Sequence, residues 1–379
     1  MCDNIIFNFI KEKNEMLNTE SSAALEVAMP APRKKSIKKA LAITGLSLLG
    51  IIVIVVILVA ILFGSEIASM ATVSRVGDTE LFTMNFKGDY GFDSFLAQGA
   101  SSDAEVVSFI SKQLLKGLPL KFDLPELGCS TFAAVTPDGD HIFGRNFDNF
   151  NTPVLVVTTH PSDGYASISV VNLAFVGYNE AFMPIGLTDR FLTLASPFAP
   201  LDGVNEKGVS IGVLQLDTAP TQQDTGKTNI TTTTAIRLVL DKAASVDEAL
   251  ALLQQYDMRS SAGASYHFQI ADATGKSVVV EYLDNAFTVI DSAYATNFVL
   301  APGKWYNDGG GQDRFAILAQ KFAETGGVLT EQQGMDLLNA VHQSNQYPTQ
   351  WSVVYNETKK TAELCLKSDY DDVYPFSLK

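Results

Sequence analysis

From residue 129 onward short strand-like runs, broken by turn residues and a few helical stretches, dominate the chain. Short runs over 130–136 and 141–146 are bounded by turn residues, with Pro137-Asp138-Gly139-Asp140 between them. That pattern predicts a hairpin. A second hairpin is expected from 154–159 and 165–171, turned by Pro161-Ser162-Asp163-Gly164, and a further strand over 209–215. Two helices then follow in succession, over 232–242 and from Ser245 to Gln255. The second opens on Ser245-Val246-Asp247-Glu248, a capping box. Strands return over 267–271, 277–282, 287–291 and 294–296. Helices are expected over 314–322 and 330–340, the latter with Thr330 and Gln333 as a capping box, and strands over 351–356 and 361–366 close the chain. Strands in blocks and helices in pairs predict an α+β architecture, with sheets packed face to face and helices outside.

Upstream, 81–86 alternates as a strand. Ser102 and Asp103 are placed to cap a helix over 105–116, and 118–127 is expected to be extended because Pro119 and Pro125 exclude a helix. Residues 40–64 hold no charge, a stretch of 25 residues. Roughly 20 suffice to cross a bilayer. Five positive charges lie just before it, at Arg33, Lys34, Lys35, Lys38 and Lys39. The expected organisation is a cytoplasmic tail over 1–39, one transmembrane helix over 40–64, an extracytoplasmic tether and pro-region over 65–128, and a catalytic domain over 129–379. The competing reading of the apolar run is a cleaved signal peptide, with Ser69-Met70-Ala71 as the cut.

The chain has 379 residues and a net charge of -15. The first 39 residues carry net +2; subtracting that leaves -17 for the rest. Such a surface argues against nucleic acid as a partner, because phosphates call for Lys and Arg. Of the three cysteines, Cys2 is expected on the cytoplasmic side, Cys365 in an alternating strand as a buried free thiol, and Cys129 at the head of the first hairpin. No metal-ligand spacing is present, and no cofactor is expected.

Cys129 is the residue with the most chemistry. A two-residue turn at Asp138-Gly139 pairs Cys129 directly with Asp148, which sets a carboxylate beside a thiol. A slip of one residue abolishes that pairing. If the chain breaks after Gly128, Cys129 gains a free α-amine. Its pKa of about 7.7 to 8.0 suits a general base. Asp148 can then hold that amine, and Gly128 leaves room at the scissile bond. Arg145 falls on the opposite strand face from Asp148, and spacing assigns it no role. The plain alternative for Cys129 is a buried core thiol.

These residues carry a resemblance. Cys129, followed sixteen residues on by Arg145 within Gly144-Arg145-Asn146-Phe147-Asp148, is similar to the pattern of the choloylglycine hydrolase family of N-terminal-nucleophile hydrolases. Asp202-Gly203-Val204-Asn205-Glu206-Lys207-Gly208, Gly226-Lys227-Thr228-Asn229, the run from Asp272 to Glu281, Ala295-Thr296-Asn297 and Asp313-Arg314-Phe315 follow in the family's order. The resemblance implies a four-layer αββα sandwich and hydrolysis of linear amide C–N bonds in a small N-acyl amide. It implies Cys129 as nucleophile, exposed by self-cleavage at Gly128–Cys129, with Arg145, Asp148 and Arg314 around it and Asn297 as a side-chain donor to the oxyanion.

Three departures stand beside it. Gln215 occupies the place of an Asn in bile salt hydrolases or, often, a Tyr in penicillin V acylases, so its oxyanion or substrate role differs. Only sixteen residues separate Asn297 from Arg314, where bile salt hydrolases carry a longer stretch that builds their tetramer. And 128 residues precede the nucleophile. The acid ceramidase branch has such pro-regions, which stay bound after the cut, and 81–96 has the apolar residues to do the same. Two further readings stay open: a non-catalytic binding module on this fold, and acyl transfer. Gly226-Lys227-Thr228 is not a P-loop, since Thr221 replaces its first glycine. None of His141, His160 and His267 is placed by the hairpin near Cys129, and His342 has no assigned place.

Overall fold

The computed structural model describes residues 34–120 and 128–378. The expected tail lies outside them up to residue 33, as do Cys2 and most of the extended stretch over 118–127. The chain divides into two compact units, Met1–Leu62 and Phe63–Lys379.

A helix, α1, spans Lys34–Thr72 and contains the apolar run over 40–64. The side chains at 55, 56 and 58–62 are not among those described. Among the described residues no helix is long and apolar enough to cross a membrane. The expected transmembrane segment is therefore not supported. α1 runs on into the stretch after the apolar run, as far as Thr72. Ser69 is fully buried there, and its Oγ accepts from the Lys87 N–H at 2.8 Å. Thr72 Oγ1 donates to the Asn85 carbonyl at 2.9 Å. These bonds dock the last turns of the helix onto the following strand.

Next come β1 (Ser74–Arg75), β2 (Leu81–Asn85), α2 (Phe92–Gln98) and α3 (Asp103–Gln113). Ser102 caps α3 as expected, its side chain accepting from the Glu105 N–H. β3 (Gly128–Val135), β4 (His141–Asp148), β5 (Val154–Thr159), β6 (Ser167–Asn172), β7 (Asp202–Asn205), β8 (Val209–Leu216) and β9 (Asn229–Thr231) follow. The helices α4 (Thr232–Lys242) and α5 (Val246–Leu253) come next, then β10 (Asp257–Arg259), β11 (Ser265–Asp272), β12 (Ser277–Leu283), β13 (Ala286–Asp291) and β14 (Tyr294–Ala295). The chain closes with α6 (Gln312–Thr325), α7 (Glu331–Ala340), β15 (Thr349–Asn356), β16 (Thr361–Leu366) and β17 (Tyr374–Ser377).

Of the two larger sheets, the first has the order β1-β2-β5-β6-β7-β8-β11-β12-β13 and the second β14-β3-β4-β15-β16-β17, while β9 and β10 pair as a small sheet of their own. β3 packs against β8, so the sheets face each other; α4 and α5 contact the first sheet, α6 and α7 the second. The order is helix, sheet, sheet, helix, as the pattern of strand blocks and helix pairs predicts. Alternation sorts the second sheet's side chains. Cys129, Phe143, Phe147, Trp351 and Tyr355 join the core between the sheets. Phe132, Ile142, Val354 and Cys365 join a separate core under α6 and α7. Cys365 is a buried free thiol, as expected.

The segment before Gly128 is part of this unit. β2 pairs in parallel with β5, Leu81 opposite Val154 through Asn85 opposite Thr158. Tyr90, Phe92, Phe95 and Phe109 pack around Phe198 from the later chain. Tyr90 also donates to Asp241 Oδ2 on α4 at 2.6 Å.

Candidate active site

The hairpin that carries Cys129 is turned by three residues, not two. The Thr136 N–H donates to the Asp140 carbonyl at 2.7 Å, and the Gly139 N–H donates back to Thr136 at 2.9 Å. Gly139 sits at φ +88°, the left-handed conformation such three-residue loops need. The longer loop shifts the register by one. Gly128 lies opposite Asp148, Cys129 opposite Phe147, and Thr131 opposite Arg145. The expected pairing of Cys129 with Asp148 is therefore corrected, and the two side chains leave β3 and β4 on opposite faces.

The same slip gives Arg145 its place. Cys129 and Arg145 now share the face between the sheets, and Arg145 Nη2 donates to Cys129 Sγ at 3.4 Å. Its Nη1 donates to the Val213 carbonyl on β8 at 2.5 Å. Its Nε lies 2.7 Å from Asp202 Oδ2, an ion pair with both side chains fully buried. Asp202 in turn accepts from Tyr355 Oη at 2.5 Å and Trp351 Nε1 at 3.1 Å.

The backbone of Cys129 is held from the other side. Its N–H donates to Asn297 Oδ1 at 2.7 Å, and its carbonyl accepts from Arg314 Nη1 at 2.5 Å. Arg314 Nη2 donates to Asn297 Oδ1 at 2.9 Å. Arg314 also lies 3.5 Å from Asp148 Oδ2, so one guanidinium joins three of the expected site residues. Asn297 Nδ2 donates to the Gln215 carbonyl at 2.9 Å. Gln215 thus enters through its backbone, and in the uncut chain the amide donor expected for an oxyanion is engaged.

Asp148 sits at the strand end, fully buried, with each oxygen taken. Thr349 Oγ1 donates to Oδ1 and Gln343 Nε2 to Oδ2, both at 2.5 Å. Burial pushes its carboxyl above the usual range, opposed first by the Arg314 charge and then by the Thr349 and Gln343 bonds. The Cys129 thiol is pushed up to about 11 by burial, against the Arg145 charge. The Asp148 charge raises it further, while Arg314 and a backbone hydrogen bond from Asp148 lower it. With the Gly128–Cys129 peptide intact, the thiol is neutral at pH 7 and sealed from solvent. The nitrogen beside it is an amide, which does not accept a proton as an amine does.

Comparison with known proteins agrees with this geometry. Residues 129–299 match the model of the linear amide C–N hydrolases, choloylglycine hydrolase family. Over that stretch the chain is similar to the choloylglycine hydrolase family. It is 28% identical over 177 residues to a bile salt hydrolase/transferase of Clostridium perfringens, an alignment covering 43% of this chain and 51% of that protein. It is 34% identical over 94 residues to a penicillin V acylase of Pectobacterium atrosepticum, covering 22% and 25%. The chain thus spans about half the length of the first relative and a quarter of the second. A crystal structure of a conjugated bile acid hydrolase variant from C. perfringens superposes with a TM-score of 0.49 at 20% identity, over 66% of this chain and 92% of that one.

Several residues around the family motifs have roles that spacing did not reveal. Asp202 was visible only as part of a motif; its work is to neutralise Arg145. Gln343 and Thr349 come from a stretch without a motif and clamp Asp148. His267 is buried, with Nδ1 3.1 Å from Glu281 Oε1 and Nε2 2.8 Å from the Thr296 carbonyl. Glu281 also accepts from the Leu300 and Ala301 N–H groups. That pair fixes the segment on which Asn297 rides. A carboxylate four strand positions from a reversal, facing a histidine on the neighbouring strand, was the signal available in the sequence.

Proposed function

We propose that this protein hydrolyses a linear amide C–N bond of a small N-acyl amide, with Cys129 as nucleophile after the chain is cut at Gly128–Cys129. The observation that carries the reading is the double grip on one residue. Arg145 approaches the sulfur of Cys129, while Asn297 and Arg314 hold its nitrogen and carbonyl. A core cysteine needs none of these partners.

In the first stage Cys129 Sγ attacks the Gly128 carbonyl carbon. The thiol first gives up its proton to solvent; the C–N bond then breaks as a C–S bond forms, and the new amine takes up a proton. Water then hydrolyses the thioester, leaving a Gly128 carboxylate and a free thiol. In the second stage the amine takes the thiol proton, the thiolate attacks the substrate's acyl carbon, and the amine returns the proton to the leaving amine. Water releases the acid. Arg145 stabilises the thiolate, and Asp148 and Asn297 hold the ammonium. Asn297 can also serve the oxyanion only if its Nδ2 leaves the Gln215 carbonyl.

The segment before the cut is proposed to remain bound, since β2 is a strand of the first sheet and Tyr90 is tied to Asp241. Intact mass spectrometry of purified protein tests the reading: a species beginning at Cys129 is expected, and Cys129→Ala is expected to stay whole. A folded wild-type chain with an intact Gly128–Cys129 bond overturns it. The relative named hydrolase/transferase motivates a second reading, acyl transfer from the same acyl-enzyme. Product analysis with added amines separates the two.

A further inference from the structure

Gly128 lies in extended backbone in β3, outside the left-handed region, so its conformation alone does not require glycine. Its surroundings do. A Cβ on Gly128 would fall 2.5 Å from Gln343 Nε2, 3.0 Å from Asp148 Cβ and 3.2 Å from Asp148 Oδ2. The Gln343 amide is a flexible end in principle, yet here it is tied at every polar atom. Nε2 donates to Asp148 Oδ2 at 2.5 Å, and Oε1 accepts from Asn345 Nδ2 at 2.8 Å. Its backbone N–H donates to Thr349 Oγ1, and its carbonyl accepts from the Thr349 N–H, both at 2.9 Å. Yielding space to a methyl group means breaking a hydrogen bond to a buried carboxylate.

We propose that Gln343 is a specificity-determining residue that excludes substituents from the carbon next to the scissile carbonyl. The inference rests on the amidase reading above and names its substrate class. In self-cleavage that carbon is the Gly128 Cα. In turnover it is the α-carbon of the substrate's acyl group. The same sulfur, held by the same arginine, attacks both carbonyls. Once residue 128 leaves, an acyl carbon presented to Sγ carries its α-carbon into the space over Gln343 and Asp148. Acyl groups with a CH2 at this position fit, and α-branched acyl groups do not.

The test has two arms in the full chain. Gly128→Ala is expected to remain uncut by intact mass spectrometry while keeping a cooperative melt. Gly128→Ala combined with Gln343→Ala is expected to regain the species starting at Cys129. Gln343→Asn, shorter by one methylene but still an amide, is the second version of that variant should the alanine disturb folding. In the other arm, matured wild-type protein is assayed with hexanoyl and α-methylhexanoyl anilides. A preference for the unbranched acyl group of about tenfold or more in kcat/KM is expected, the scale set by one methyl group in a tight pocket. In matured Gln343→Ala the ratio narrows toward one. Cutting of Gly128→Ala at the wild-type rate overturns the proposal, and so does an unchanged ratio in Gln343→Ala. If the matured protein hydrolyses neither anilide, the amidase reading loses support, and the processing arm still decides the role of Gln343.

Discussion

Arg145 and Asp202 form an ion pair 2.7 Å apart with no solvent exposure on either side chain. The pair spans the two sheets, β4 to β7, and its arginine also reaches Cys129 Sγ. Burial raises the Asp202 carboxyl, and Arg145 is the first influence opposing that rise, followed by Tyr355 and Trp351. Removing one member of a buried pair strands the other.

Asp202→Asn is therefore expected to cost about 3–5 kcal/mol of stability. It leaves a buried guanidinium without its counter-charge. Urea unfolding checks the size. Self-cleavage at Gly128–Cys129 should slow in the same variant, because Arg145 loses its anchor beside the sulfur.

The raised Cys129 thiol fixes a pH dependence. Its pKa in the uncut chain is pushed to about 11. Below that value the reactive thiolate is a small fraction that grows tenfold per pH unit. The rate of self-cleavage is expected to climb between pH 7 and 9 with a slope approaching one log unit per pH unit, followed by mass spectrometry on freshly refolded chain. A flat profile contradicts the thiolate route.

Thr349→Val removes one of the two side-chain bonds on Asp148. The vacated Oδ1 is then a buried carboxylate oxygen without that partner, at a cost of about 1–3 kcal/mol. Because this bond lowers the Asp148 pKa, its loss moves the carboxyl further upward. The acid limb of the matured enzyme's pH profile should shift to higher pH.

Glu357 offers a test of stability alone. It is fully buried, its Oε1 has no hydrogen-bond partner, and burial pushes its carboxyl well above the usual range. A folded-state pKa above the unfolded one stabilises the fold below the unfolded value, about 4.3, and that contribution is lost as pH rises through the folded value. Glu357→Gln removes the titration. Its melting temperature is expected to exceed wild type at pH 7 and to approach wild type near pH 4. An equal difference at both pH values would falsify this assignment.

Native size-exclusion chromatography of the cut protein addresses the pro-region. The fragment ending at Gly128 and the chain starting at Cys129 are expected to co-elute, and to separate only under denaturing conditions. Tyr90→Phe deletes the bond to Asp241 and should weaken that association.

Much of this fold was legible because local chemistry decided it. The Thr330–Gln333 capping box, and Ser245 with the N–H of Glu248, start helices where expected. The strands over Val154–Thr159 and Thr361–Leu366 begin and end on the residues expected. What local pattern misplaced was a register. Asp138-Gly139 reads as a two-residue turn, yet Thr136 and Asp140 close a three-residue loop. One residue moved every hairpin partner and exchanged Asp148 for Arg145 on the face of Cys129. The clamp on Asp148 was illegible for another reason. Gln343 and Thr349 lie about two hundred positions from it in sequence, and only tertiary packing joins them.

The parallel seam between β2 and β5 has a consequence for a chain produced without the residues before Cys129. With β2 gone, Val154, Leu155, Val156 and Val157 become the rim of a large sheet, their amide and carbonyl groups open on one side. Bare rims of this kind recruit strands from neighbouring molecules. Residues 74–85 thus act as a built-in guard against self-association, and an isolated catalytic segment should aggregate for want of it.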